Sequence, residues 1–143
     1  MRLLYKLLII SIVSGSILAG FLKVVQLILN DDAYILLFNM DYIPLLKNVE
    51  KINGSEYVFH FVFCFVSVVS LFHLAKIVQL AKCIFTYVIV FTAGSGMLYF
   101  LTALTNQPPS ARSFVSWLYW VVAHAVFGIV VGVMIKYWLK QDD

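Results

Sequence analysis

Four stretches of the chain run apolar for long enough to cross a bilayer core, which needs about 20 hydrophobic residues in a helix. The first begins at Leu7, meets Lys23 and continues to Leu29; the second is Tyr57 to Ala75, bounded by Glu56 and Lys76. The third is Cys83 to Leu104, which ends before Asn106-Gln107-Pro108-Pro109, and the fourth is Ser113 to Ile135, between Arg112 and Lys136. None alternates with the period of two that a membrane barrel strand shows, so each predicts a helix. The fold class expected is therefore all-α: a polytopic membrane protein, a four-transmembrane-helix bundle, with residues 1–143 forming one integral membrane domain. Its helices are expected at about 7–29, 57–75, 83–104 and 113–135.

The connections differ in character. Only about seven residues, Lys76 to Lys82, join the second span to the third, which predicts antiparallel neighbours. The first outer loop, 30–56, is long and carries Asp31, Asp32, Asp41, Glu50 and Glu56. Between those charges lie two apolar pieces, Tyr34-Ile35-Leu36-Leu37-Phe38 and Tyr42-Ile43-Pro44-Leu45-Leu46. A segment of that kind lies in the membrane interface or caps the bundle.

Composition agrees with the pattern. Of 143 residues, 63% are hydrophobic and 12% charged, and the mean hydropathy is +0.97. A soluble domain is about half apolar and a quarter charged, so a water-soluble enzyme is not expected. The net charge of +3 comes from ten basic residues scattered singly, and no basic cluster invites a nucleic acid. Two cysteines form no disulfide framework and match no metal spacing.

Lys and Arg in short loops set orientation. Arg2, Lys6, Lys76, Lys82, Lys136 and Lys140 fall on one side; Lys47, Lys51 and Arg112 fall on the other. Both termini are thus expected in the cytoplasm. The N-terminus carries some marks of a signal peptide, with Arg2 and Lys6 before an apolar run. Its Leu18-Ala19-Gly20 box precedes Phe21 rather than a cysteine, and the apolar run outlasts a signal core of roughly 7–15 residues, so it is read as a true first helix. Trp117, Tyr119 and Trp120 near the start of the last span, with Tyr137 and Trp138 past its end, are expected at the two interfaces.

Candidate chemistry is sparse. No acidic residue lies inside a span, and no GxSxG, HExxH or Walker loop is present, so neither an enzyme nor an ion-coupled transporter is expected. Lys23 lies within the first span near its outer end, where it can also snorkel to the interface, His60 one turn inside the second with Cys64 and Ser67 on its face, and His124 near the middle of the fourth. Lys23, His60 and His124 are the candidate polar cluster, with Asp31 and Glu56 as partners for the lysine. Small residues mark helix packing: Gly15 and Ala19 in the first span, Gly96 in the third, and Gly128 with Gly132 as GxxxG in the fourth. The Gly128/Gly132 face serves packing within the chain or contact with a homodimer mate or another membrane protein. A haem held by the histidines would need them at matching depth. They differ by about seven residues of helix, roughly 10 Å, so no metal or other cofactor is expected.

Three local patterns resemble the YagU-like family of small bacterial inner-membrane proteins. These are Gly20-Phe21-Leu22-Lys23, then His60-Phe61-Val62-Phe63-Cys64-Phe65-Val66, and a Pro-Pro loop followed by His124-Ala125-Val126-Phe127. The chain departs from the family where an acidic residue follows the lysine (Gln26 and Leu27 stand here) and where the first loop opens on Pro-Pro-Arg. It departs again at a histidine of the third helix, the Gly94-Ser95-Gly96 region here, and at an acidic residue before the last histidine, Trp120 or a neighbour here. The resemblance implies a non-enzymatic multi-pass protein of the bacterial inner membrane that serves envelope or acid-stress tolerance. The residues alone leave two alternatives: an accessory subunit of a membrane complex or an immunity protein against a membrane-active toxin, and a haem or metal redox membrane protein.

Overall fold

The computed structural model describes residues 2–40 and 54–139. Within them the chain is helical: α1 (Arg2–Leu29), α2 (Ala33–Phe38), α3 (Ser55–Ile77), α4 (Ile84–Leu98) running on as a 3-10 turn (Tyr99–Leu104), and α5 (Phe114–Trp138). Four helices, α1, α3, α4 with its 3-10 turn, and α5, are long and apolar enough to cross a membrane. The chain is an all-α, multi-pass membrane protein. Its outward surface is apolar, with Leu27, Ile28, Ile77, Phe85, Met97 and Phe114 exposed, as expected of helices solvated by lipid tails.

Each helix starts and stops for a local reason. Asn30 ends α1 with φ of 53°, donating its N–H to Gln26, and Asn is among the few side chains that tolerate this left-handed region. Asp31 Oδ1 accepts from the Ala33 N–H at 2.9 Å and so opens α2. Ser113 caps α5 by accepting from the Ser116 N–H at 3.3 Å. Residues 34–38, one of the two apolar pieces of the first outer loop, form α2. It buries Ala33, Leu36 and Leu37 against α1, α3 and α5, capping the bundle. The second piece, 42–46, lies outside the described residues.

The bundle is built as a row, α3 on α1, α1 on α5, α5 on α4. Glycines set its closest approaches. A Cβ at Gly128 would stand 2.8 Å from the Tyr87 carbonyl oxygen, and one at Gly132 would stand 3.0 Å from Ile84 Cα, so α4 lies directly on the α5 GxxxG face. Gly96 answers from α4, with the Val121 side chain 3.3 Å from its Cβ position. Gly15 plays this part between α1 and α3, where Cys64 Sγ lies 3.1 Å from its Cβ position; Ala19 is half-buried against the same core. The Gly128/Gly132 face is thus taken up within the chain, and a partner there would have to displace α4.

Two expectations need correction. The helices flanking the short loop, α3 and α4, are antiparallel but do not pack along each other. The loop ties one end of the pair, while the other opens around a crevice. Trp120, expected in an interfacial belt, faces into the bundle rather than outward: it is buried, and its Nε1–H donates to the Ser95 carbonyl at 3.0 Å. Trp117 Nε1–H donates to the next carbonyl, Gly96, at 3.1 Å. Just beyond, α4 tightens into its 3-10 turn and the regular carbonyl pairing changes. The two indoles, three residues apart on α5, supply donors where the backbone pattern breaks.

Candidate functional site

The open end of the α3–α4 pair encloses a crevice of about 440 Å³. Phe59, His60, Phe63, Cys64 and Ser67 of α3 form one wall, and Val90, Phe91, Gly94, Ser95, Leu98 and Leu101 the other. Trp120, His124 and Phe127 of α5 form the floor, while Leu36 and Leu37 of α2 lie at the end that α2 caps. The volume falls within the range of small-molecule sites, roughly 300–1,000 Å³, and the lining has their usual character of apolar walls with few polar groups.

The sequence shows why the gap exists. Where helices close tightly, one partner offers glycine: Gly15 under α3, Gly128 and Gly132 under α4. Between α3 and α4 the facing residues are large on the α3 side, Phe59 and Phe63, and Gly94 on α4 meets nothing within 4 Å of its Cβ position. No glycine on α3 invites close approach, and the small residue opposite leaves room.

The three residues expected to form a polar cluster separate into two places. His60 and His124 line the same crevice, although their positions along the helices predict different depths. His60 Nε2–H donates to the Gly15 carbonyl at 3.2 Å, a bond that the missing side chain at Gly15 permits, and Cys64 Sγ lies 3.9 Å from Nδ1. His124 Nδ1–H donates to the Trp120 carbonyl one turn back at 2.8 Å. A carbonyl only accepts, so the two neutral rings carry opposite tautomers, His60 protonated on Nε2 and His124 on Nδ1.

Lys23 is elsewhere. It is exposed on α1, its Nζ donating to Gln26 Oε1 at 2.8 Å and lying 4.7 Å from the Tyr34 ring centre. Partial burial beside Tyr57 pushes the Tyr34 phenol upward, so it stays neutral under the lysine. Neither acidic residue expected beside Lys23 is its hydrogen-bond partner. Asp31 instead accepts from Ser116 Oγ at 2.8 Å, pinning the start of α2 to the first turn of α5. Among the described residues, no three His, Cys, Asp or Glu side chains gather as metal ligands would.

Sequence reading missed the crevice itself and most of its walls. It did place His60, Cys64 and Ser67 on one helical face. The further signal available was the contrast between α3, which carries no close-packing glycine, and the three helices that do. Comparison with protein-family models, curated proteins and solved structures finds no match for the chain.

Proposed function

We propose that this chain is a non-enzymatic integral protein of the bacterial inner membrane that draws an apolar molecule laterally from the bilayer into the α3–α4 crevice. The observation that carries this reading is the crevice: an apolar space between two spanning helices that the rest of the bundle holds open. A void lined by aliphatic and aromatic side chains forfeits dispersion contacts unless something fills it, and the surrounding solvent is hydrocarbon. The distribution of basic residues favours cytoplasmic termini and so supports a crevice and α2 cap that face the outer leaflet. A protein holding a lipophile there serves the envelope, the role implied by the sequence resemblance.

Native mass spectrometry of gently extracted protein tests this. Wild-type protein is expected to carry an adduct above the 16.3 kDa chain. Gly94→Phe, which grows a ring into the crevice from a position with no neighbour within 4 Å, is expected to be bare. A bare wild type, or an adduct of equal occupancy in Gly94→Phe, overturns the reading.

A further inference from the structure

Most polar groups in the crevice wall are already committed. Trp120 Nε1–H is bound to the Ser95 carbonyl, and Ser95 Oγ–H donates to the Thr92 carbonyl at 3.1 Å. His60 donates to the Gly15 carbonyl, and the Cys64 thiol lies 3.8–3.9 Å from both of its ring nitrogens. Two groups are left over. Ser67 Oγ makes no hydrogen bond to a described residue. His124 Nε2 has none either, because its ring donates through Nδ1 to the Trp120 carbonyl. In the neutral ring Nε2 is purely an acceptor, held in a wall of Phe, Leu and Val. A polar atom left without a partner in such surroundings costs free energy that a matching ligand group recovers.

We propose that the occupant is an uncharged lipid alcohol whose hydroxyl donates to His124 Nε2 and can accept from Ser67. The inference rests on the crevice reading above. Charge narrows the choice: among the described residues no Lys, Arg, Asp or Glu lines the crevice, and Lys23 lies outside it on Gln26 and Tyr34. A phosphate or carboxylate head would enter without a countercharge, as would an ammonium head. A bare alkane, an ether or a ketone has no donor for Nε2. A hydroxyl is the smallest head that both donates and accepts.

The test compares retention of labelled tetradecanol and tetradecane by the protein in nanodiscs, each counted against empty discs. Wild-type protein is expected to prefer the alcohol by about two- to tenfold, the yield of one net hydrogen bond. His124→Phe is expected to retain tetradecane and lose the preference. Tetradecyl methyl ether, which keeps the accepting oxygen but has no donor for His124 Nε2, is expected to fall below the alcohol in the wild type, a readout that needs no variant to fold. Equal retention of alcohol and alkane, an ether that matches the alcohol, or a preference that survives His124→Phe overturns the alcohol and leaves the crevice an apolar-chain site. Retention of neither compound, or retention unchanged in Gly94→Phe, overturns the crevice reading and the alcohol with it.

Discussion

A methyl group at Gly128 would stand 2.8 Å from the Tyr87 carbonyl oxygen and 2.8 Å from Val88 Cα, and neither atom can rotate away as a side-chain end can. A methyl at Gly20, also helical, would meet nothing within 4 Å. Gly128→Ala therefore forces α4 off α5, with an expected loss of about 1–3 kcal/mol, the usual cost of overpacking. Gly20→Ala is expected to be neutral or to add up to about 1 kcal/mol through helix propensity. Unfolding in mixed detergent–SDS micelles separates the two, and equal shifts would remove the assigned role of Gly128. The GxxxG spacing made this contact legible in the sequence, because the physical need for a missing side chain is local. The crevice was not legible in that way. Whether His124 faces a neighbour or a gap depends on how far α3 stands from α4, a separation bordered by Phe59 and Phe63 on one side and Gly94 on the other. No window of sequence contains both sides of that contrast. Lys23 is the converse case: its position within a span allowed either a buried cluster or snorkelling, and its long flexible stem takes the ammonium to Gln26 and the face of Tyr34 at the bundle surface.

Among the elements, α2 depends most on a single anchor. Six residues are too few for a helix to persist alone. It stands because Leu36 and Leu37 are buried and because Asp31 bonds to two places, the Ala33 N–H at 2.9 Å and Ser116 Oγ at 2.8 Å. The carboxylate also lies by the first turn of α5, where the helix dipole favours negative charge. Asp31→Ala removes both acceptors, and the expected cost is about 1.5–3 kcal/mol, the range for hydrogen bonds to a charged group. Hydrogen exchange is the measurement, with residues 33–38 expected to exchange faster and α4 unchanged. Uniform acceleration in every helix, or none in α2, would show that the anchor does not act locally. The sequence prepared half of this: an apolar piece set between charges was expected to cap the bundle or lie in the interface. That Asp31 would face Ser116 rather than Lys23 required knowing that α5 starts beneath α2.

Over the whole molecule, the first and last spans form the middle of the row, and their free ends meet. Lys6 Nζ donates to the Trp138 carbonyl at 3.4 Å and lies 5.7 Å from the Trp138 ring centre, which brings the start of α1 to the end of α5. Four crossings with that contact place both ends of the described chain on one side and the 105–113 connection on the other. The proposed orientation rests on loop charge alone: in the sequence six basic residues belong to the two ends and the α3–α4 connection, against Lys47, Lys51 and Arg112 in the other two connections. Reporter fusions are expected to give cytoplasmic fluorescence at either terminus and external phosphatase activity after Gln107. Termini reporting from opposite sides would break the bundle itself, because Lys6 and Trp138 could not then meet. Termini both reporting from outside would leave the bundle intact and reverse only its orientation, turning the crevice and its α2 cap toward the inner leaflet and its lipid supply. The bundle rests on packing and the orientation on loop charge, so the two outcomes test separate physical causes.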